Sequence, residues 1–479
     1  MSLKKQTFLG LFWAFGNTFI IKGLFFVATI VLARILGPSE FGLMGMISVF
    51  IAIGASLVDS GLSTSLIRTQ NADDSDYTTV FYLNLGISFF LYLIFFFGAP
   101  FIADFYNQDI LANIIRLYCL SFIITAFSSV QLTLLNKEMQ FRKIMQYNIP
   151  GNIIGVITGI ALGYLGYGVW SIVWMYLITQ LVQSIILWSF SEWKPSKTFS
   201  KEKMKYHYAF GYKLTLSGLL DTVFKNSYNI IIGKYFSVQS LGYFERAQAF
   251  NDYSVSTLTG IISGVSYPLL AKLQNQKDKI TEVYKKLLQF TFFITAPLML
   301  GAAAIAKPLF LLVLGEQWLP AVSFFQILCL GGMFYPIHVF NISVLKVYGR
   351  SDLFLKLEII KKIVFTISLL LAFQFGIYGL VWSSVFVSIS ALGINTHYSK
   401  MMINYTTRNQ IEDMIPTLLK AGLMAGLMFV LVYLLKNEST YWQIVIPSFV
   451  GGLFYFLINY FLKATPLFFI LNIIKERKL

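Results

Sequence analysis

Long apolar stretches follow one another along almost the whole chain, separated by polar turns and loops. A run of about twenty apolar residues crosses the ~30 Å hydrocarbon core of a bilayer as an α-helix. Inside lipid the backbone must satisfy its own hydrogen bonds, which leaves only helices and closed barrels. The chain is 57% hydrophobic and only 12% charged, whereas soluble domains carry about a quarter charged residues. The sequence therefore predicts an all-α integral membrane protein.

We expect fourteen transmembrane helices, whose limits are set by the polar turns between the apolar runs. The expected ranges are 8–35, 41–66, 77–100, 111–135, 146–164, 168–190, 208–232, 240–270, 288–313, 321–345, 353–374, 377–398, 416–435 and 441–463.

The loop between the first two expected helices recurs two hundred positions later. Residues 31–42 read VLARILGPSEFG and residues 231–242 read IIGKYFSVQSLG, so that Arg34 aligns with Lys234 and Gly42 with Gly242. Internal repeats of this kind are common in transporters. We expect two parallel six-helix repeats, 1–200 and 201–400, around a central cavity. Two additional helices and a tail then occupy 401–479.

The net charge of +15 is distributed unevenly among the loops. Twenty-six of the 37 lysine and arginine residues fall at the termini or in alternate loops, near positions 68, 137–143, 194–205, 272–286, 346–362 and 400–408. The intervening loops hold few basic residues, among them Arg34, Lys234 and Lys436. The positive-inside rule places both termini and the basic loops in the cytoplasm. Because this charge flanks membrane helices, we do not expect a nucleic-acid partner; contact with membrane lipids explains it.

Polar residues inside the expected helices are the candidates for function, because a charge at mid-bilayer costs about 3 kcal/mol or more. They gather on the first two helices of each repeat. On helix 7, polar residues spaced four positions apart form the inclined stripe Lys213, Ser217, Asp221, Lys225 and Asn229. Helix 8 carries Glu245, Arg246, Gln248, Asn251 and Asp252, and helix 1 carries Asn17 and Lys22.

The cations of this set predict the chemistry of the cavity. Lys22, Lys213, Lys225 and Arg246 give it a positive or balanced charge, which suits an anionic ligand such as a phosphate group. The alternative is that these charges form interhelical ion pairs, for example Asp221 with Lys225, that hold the bundle together. Asp59, near the end of helix 2, is interpreted as a cap or gate residue.

No cofactor or metal site is expected. The two cysteines, Cys119 and Cys329, lie inside apolar segments and are interpreted as small packing residues.

Three segments carry a family resemblance. Leu32–Gly42, Asp59–Ile67 and Thr79–Asn84 resemble signatures of the polysaccharide-transporter branch of the MOP superfamily. Within it, the chain is most similar to Wzx-type flippases that export colanic and teichuronic acid repeat units. The resemblance implies a MATE-like fold and a location in the bacterial cytoplasmic (inner) membrane.

The function implied by the resemblance is translocation of undecaprenyl-pyrophosphate-linked oligosaccharide from the inner to the outer leaflet, by alternating access. The family's cationic cavity residues would fall on Lys22, Lys213, Lys225 and Arg246, matched by helix and charge. The sugar would then be bound by the amide groups of Asn17, Gln248 and Asn251. Carriers of a coupling ion, if one is used, would be Asp221, Glu245 and Asp252. The polysaccharide assembly machinery is a candidate partner.

Two other functions are weighed against this one. A multidrug exporter of the related MATE type would share the duplicated bundle, but such proteins favour cations and use acidic cavity residues, whereas helix 1 here has a lysine and no acid. A membrane enzyme, such as a polysaccharide polymerase or ligase, would be expected to have a large outer loop with catalytic residues. Every expected outer loop here is short, so an enzyme is not expected.

Overall fold

The structure of the protein is a computed structural model that describes residues 3–59 and 61–468. Within these ranges, side chains are described except at 3–12, 59, 213, 214, 217, 257, 258, 261–263, 265 and 277. The regular secondary structure of the described residues is helical, and the chain divides into two compact units, 1–242 and 243–479. The predicted boundary at residue 200 follows the sequence repeat and stays a prediction.

The first unit contains ten helices and the first turn of an eleventh within the described ranges. They are α1 (Leu3–Ile35), α2 (Pro38–Asp59), α3 (Leu62–Arg68), α4 (Asp74–Tyr106), α5 (Ile110–Tyr118), α6 (Leu120–Lys137), α7 (Phe141–Tyr164), α8 (Trp170–Phe190), α9 (Lys201–Lys225), α10 (Ser227–Tyr235) and α11 (Val238–Lys272).

The second unit begins inside α11 and contains the remaining described helices. They are α12 (Lys277–Ala304), α13 (Ala306–Val313), α14 (Ala321–Gly332), α15 (Tyr335–Val347), α16 (Ser351–Phe373), α17 (Gly376–Ser399), α18 (Thr407–Leu434) and α19 (Trp442–Phe461). A single 3-10 turn, Glu316–Trp318, precedes α14.

Each predicted transmembrane range falls on one helix or on two consecutive helices, which confirms the all-helical membrane fold. Ten segments of the described chain are long and apolar enough to cross a membrane. The other four predicted ranges lie on α7, on α9 with α10, on α11 and on α16. These helices carry more polar and charged residues, which lowers their hydropathy. The count of fourteen therefore stays a prediction.

Several predicted spans are broken in the middle. The fourth is interrupted at Cys119, between α5 and α6, and the tenth at Met333 and Phe334, between α14 and α15. These two spans correspond to each other in the sequence duplication, so both repeats interrupt the same helix. The seventh span is broken at Asn226, where α9 ends and α10 begins.

Two short turns between helices contain glycines with positive φ. Gly166 and Gly168 have φ of 82° and 55°, and Gly376 has φ of 69°. Residues with a Cβ rarely adopt this left-handed conformation. These glycines allow the tight turns between α7 and α8 and between α16 and α17.

A row of glycines lets α7 pack tightly on α8 inside the first unit. A Cβ added at Gly155 would lie 1.9 Å from Thr179 Oγ1, and one at Gly159 would lie 2.7 Å from Met175 Cβ. Small residues spaced by four bring membrane helices close enough for extensive van der Waals contact. The same helix α7 also packs against α1.

Candidate functional site

The polar stripe predicted on helix 7 spans the break between α9 and α10. Asp221 and Lys225 lie on the exposed face of α9, whereas Asn229 of α10 is buried and donates from Nδ2 to Ser48 Oγ of α2 at 3.2 Å. The side chain of Lys213 lies outside the described residues, as does that of Asp59. Asp221 and Lys225 are thus accessible, whereas Asn229 ties α10 to α2.

On α1, the two predicted site residues have different surroundings. Lys22 is exposed, whereas Asn17 is half-buried and its Oδ1 atom is buried without a hydrogen-bond partner. Five residues along a helix correspond to about 140° of rotation, so the two side chains leave α1 in different directions. Asn17 thus contributes an acceptor oxygen without a hydrogen-bond partner, and Lys22 contributes an exposed positive charge.

The remaining predicted residues lie within two turns of α11, in the second unit. Glu245, Arg246 and Gln248 are half-buried, and Asp252 is exposed. Asn251 is only 9% exposed.

The Asn251 amide is held in a narrow space beside Gly332 of α14. Its Nδ2 lies 3.5 Å from Asp252 Oδ1, and its Oδ1 is buried without a hydrogen-bond partner. A Cβ at Gly332 would lie 2.5 Å from that oxygen. A polar acceptor is therefore kept in an otherwise apolar setting, at a cost of about 1–3 kcal/mol if it stays unsatisfied.

The structure thus brings together the five predicted residues of α11, while Asn17, Lys22, Asp221 and Lys225 belong to the first unit. That all of them line one chamber stays a prediction.

A buried polar network that sequence reasoning missed fixes α9 to the rest of the first unit. His207 of α9 is fully buried; its Nε2 lies 3.0 Å from Asp76 Oδ1 and its Nδ1 lies 2.8 Å from Ser65 Oγ. Since the carboxylate accepts from Nε2–H, a neutral imidazole accepts the Ser65 hydroxyl at Nδ1. The network joins α3, α4 and α9, and we call Ser65, Asp76 and His207 the histidine latch.

A salt bridge lies beside the histidine latch at the start of α9. Lys203 Nζ donates to Asp76 Oδ2 at 2.9 Å and also to Asp73 Oδ1. The hydrogen bond from Lys203, together with the backbone N–H of Asp76, lowers the pKa of Asp73 to about 2. Asp73 and Asp76 also form a capping box at the N-terminus of α4. The first turn of α9 is therefore held to the start of α4 by charge.

The linker between α8 and α9 lies along the first turns of α4. The backbone N–H of Ser196 donates to Thr78 Oγ1 at 3.2 Å, and that of Ser200 donates to Thr79 Oγ1 at 3.1 Å. Trp193 Nε1 donates to Asp74 Oδ1 at 2.7 Å. This linker is thus anchored to its own unit.

The two copies of the duplicated loop meet inside the first unit. A Cβ at Gly42 would lie 1.9 Å from Val238 O, and a Cβ at Gly242 would lie 1.9 Å from Pro38 O. The contact is reciprocal, because Pro38 and Val238 are equivalent positions of the repeat. We call Gly42 and Gly242 the glycine crossing. Only residues without a Cβ allow two backbones to approach this closely.

One protein-family model matches the chain over residues 31–323, and its description is "Polysaccharide biosynthesis protein". The lipopolysaccharide biosynthesis protein WzxC of Escherichia coli (strain K12) is 26% identical over 81% of this chain and 80% of its own length. The teichuronic acid biosynthesis protein TuaB of Bacillus subtilis (strain 168) is 24% identical over 90% of this chain and 89% of its own.

Two solved structures share the fold. The lipid II flippase MurJ in an inward closed conformation aligns with a TM-score of 0.74 at 17% identity, over 94% of this chain and 98% of its own. An inward-facing multidrug resistance MATE transporter of the MOP superfamily aligns with a TM-score of 0.60 at 18% identity, over 79% of this chain and 94% of its own. At these identities the likeness concerns the fold.

Proposed function

Because the chain belongs to the polysaccharide biosynthesis protein family whose model matches residues 31–323, we propose that it is a flippase for lipid-linked oligosaccharides destined for cell-surface polysaccharide. One observation carries the proposal: relatives named for lipopolysaccharide and teichuronic acid biosynthesis are similar over 81% and 90% of the chain. The solved fold neighbour named as a lipid II flippase supports it, since that fold accommodates such cargo.

We propose, more specifically, that the cargo consists of oligosaccharide repeat units linked to undecaprenyl pyrophosphate. Pyrophosphate is a compact anion, which lysine and arginine bind through charge-assisted hydrogen bonds. In the proposed path the cations Lys22, Lys213, Lys225 and Arg246 neutralise the phosphates. Exposure of Lys22 and Lys225 is compatible with that role.

Amide side chains are the proposed ligands of the sugar. The unsatisfied buried oxygens of Asn17 and Asn251 support this role, because a sugar hydroxyl that donates to such an oxygen offsets its desolvation. Gln248 is the third proposed sugar ligand. The acids Asp59, Asp221, Glu245 and Asp252 are proposed as gate or ion-coupling groups.

The proposed mechanism is alternating access, in which the repeats 1–200 and 201–400 rock against each other while the lipid tail stays in the bilayer. We place the protein in the bacterial inner membrane with both termini in the cytoplasm. An interior-negative potential then favours export of an anion by about 2.3 kcal/mol per charge per 100 mV. Contact with the polysaccharide assembly machinery belongs to the same proposal.

Two observations bear on an enzymatic function. The histidine latch contains serine, histidine and aspartate, the residue types of a hydrolase triad. However, His207 and Ser65 are 0% and 2% exposed, and we interpret the latch as a structural contact that joins α3, α4 and α9. We therefore propose a transporter without catalytic residues.

A MATE-type exporter of organic cations is the second candidate, supported by the MATE fold neighbour. The two are separated by reconstituting the full chain in proteoliposomes and offering each cargo in turn. We expect lipid-linked oligosaccharide to cross between leaflets and a radiolabelled organic cation to stay outside. Movement of the cation alone would refute the flippase.

A further inference from the structure

A half-enclosed cavity of about 340 Å³ lies wholly within the first unit, at one end of α6, α7 and α8. Its polar wall includes Gln131, Glu138, Gln140, Lys143 and Glu192. We call it the amide pocket. Its size falls in the range of about 300–1,000 Å³ that is typical of ligand sites in proteins. None of the residues proposed for transport lines it.

Gln131 is the most informative residue of the amide pocket. It is only 2% exposed, yet both its Oε1 and its Nε2 are buried without a hydrogen-bond partner. The Oε1 atom of Gln140 is buried and unpartnered as well, while its Nε2 donates to Glu138. Buried amides are nearly always hydrogen-bonded, so each such group needs an explanation. A ligand that both donates and accepts hydrogen bonds would satisfy them together.

The charges on the wall define that ligand further. Glu138 and Glu192 provide two carboxylates, and Lys143 provides one ammonium group. The carboxylates and amide oxygens suit a donor that carries a positive charge, whereas Lys143 and Gln131 Nε2 suit an anionic acceptor. The pocket is therefore complementary to a zwitterion that combines a primary amine with a phosphate.

The position of the amide pocket identifies the ligand as a lipid. Its apolar wall includes Leu134, Leu187 and Phe190, and Phe190 is 65% exposed on the surface of the bundle. The ring of Tyr147 stacks on Phe190 with centroids 5.6 Å apart. Aromatic side chains at the ends of membrane helices mark the level of the lipid headgroups. A headgroup in the pocket would thus leave its acyl chains beside the exposed ring of Phe190.

We propose that the amide pocket binds one aminophospholipid, such as phosphatidylethanolamine, through its phosphoethanolamine headgroup. The ammonium lies against the carboxylates and Gln140, and the phosphate lies against Lys143 and Gln131 Nε2. This inference does not depend on the cargo of the transporter.

The test uses the purified full chain in detergent supplemented with phosphatidylethanolamine, phosphatidylcholine or phosphatidylglycerol. Thermal unfolding and native mass spectrometry measure stabilisation and the number of lipids retained. We expect one tightly retained phosphatidylethanolamine and a higher unfolding midpoint with it than with either other lipid. Phosphatidylcholine has no N–H groups, and phosphatidylglycerol has no amine. Equal retention of the three lipids would overturn the proposal.

Variants distinguish binding at the amide pocket from general effects of lipid on stability. Gln131→Leu removes the unsatisfied amide, so it should raise the midpoint without lipid and weaken phosphatidylethanolamine binding at least about tenfold. Glu138→Gln should reduce the preference for phosphatidylethanolamine over phosphatidylcholine. The controls Asn84→Leu, a buried amide of another cavity, and Glu282→Gln should leave that preference unchanged. A preference retained in Gln131→Leu and Glu138→Gln would contradict the assignment.

A soluble arm distinguishes the lipid from its headgroup. Glycerophosphoethanolamine carries the same polar group without acyl chains. We expect it to stabilise the protein only at far higher concentration than the lipid, because the exposed apolar surface at Phe190 stays uncovered. Full stabilisation at equal concentration would show that the occupant is a soluble phosphoethanolamine and would overturn the lipid assignment.

Discussion

Adding one methyl group at the glycine crossing should destabilise the first unit. A Cβ at Gly42 would lie 1.9 Å from Val238 O, whereas ordinary van der Waals contact begins at 3.4 Å. The two backbones would have to separate by the difference, about 1.5 Å, and the contacted atom is a backbone carbonyl that cannot rotate away. Gly42→Ala should therefore push the first turns of α2 and α11 apart.

The expected magnitude is set by two opposing effects. Overpacking of a close contact costs about 1–3 kcal/mol. Alanine is favoured over glycine inside a helix by up to ~1 kcal/mol. Because the required shift is large and involves backbone, we expect the first effect to win and the free energy of unfolding to fall by about 1–2 kcal/mol. Gly242→Ala should have a similar effect, since the contact is reciprocal.

The double variant gives a sharper test. Once the first alanine has separated the backbones, the second meets less resistance, so the two losses should add to less than their sum. Reversible unfolding in mixed micelles measures all three variants, with Gly86→Ala as the control, because a Cβ at Gly86 meets nothing within 4 Å. If Gly42→Ala is as stable as Gly86→Ala, or if the losses are fully additive, the close contact is refuted.

Three further predictions concern the same unit. His207→Leu should leave the buried carboxylate of Asp76 without one of its donors and lower the free energy of unfolding by about 1–3 kcal/mol, as measured by denaturation; unchanged stability would contradict the latch. Gly155→Ala should destabilise the protein by about 1–3 kcal/mol, because its Cβ would lie 1.9 Å from a hydroxyl of α8; an effect no larger than that of the Gly86 control would refute the tight packing. The Asp73 pKa, lowered from 3.8 to about 2 by Lys203, predicts a contribution to stability that is complete above about pH 4 and is lost as the pH falls towards 2. Lys203→Met should reduce that acid-dependent part without abolishing it, because the backbone N–H of Asp76 also lowers the Asp73 pKa; unfolding at a series of pH values would reveal the change, and an identical pH profile would count against it.

Helix positions and turns could be predicted from the sequence because they depend on local composition. Apolar length fixes where a chain can cross lipid, and the glycines at 166, 168 and 376 mark turns that need positive φ. The correspondence of Gly42 with Gly242 was also visible in the sequence, since both copies of the loop are present. That the two glycines touch was not visible, because contact depends on how the helices cross.

The histidine latch could not be predicted for a different reason. Ser65 and His207 are 142 positions apart, and single residues at that distance leave no periodic signal. The breaks at Cys119 and Asn226 also lie within continuous apolar or mixed patterns, where packing decides the geometry. Of the latch residues, only Asp76 left a local trace, since it forms with Asp73 the acidic capping pattern at the start of α4.

The candidate cavity residues were chosen by charge and helix alone. Such a choice finds polar groups inside an apolar chain but cannot tell a ligand from an ion-pair partner. Lys22 and Lys225 are exposed, and Asn251 is buried beside Gly332. Their shared role is therefore the part of the proposal that most needs measurement.

The most direct test of the proposed function is leaflet crossing of a lipid-linked oligosaccharide in proteoliposomes that contain the full chain. The wild type is compared with Lys22→Ala/Arg246→Ala and with Lys436→Ala, a basic residue of a connecting loop outside the proposed path. We predict crossing by the wild type and by Lys436→Ala, and a rate near the protein-free background for the double variant. Crossing at the wild-type rate in the double variant would contradict the cationic path, and no crossing by the wild type would contradict the flippase itself.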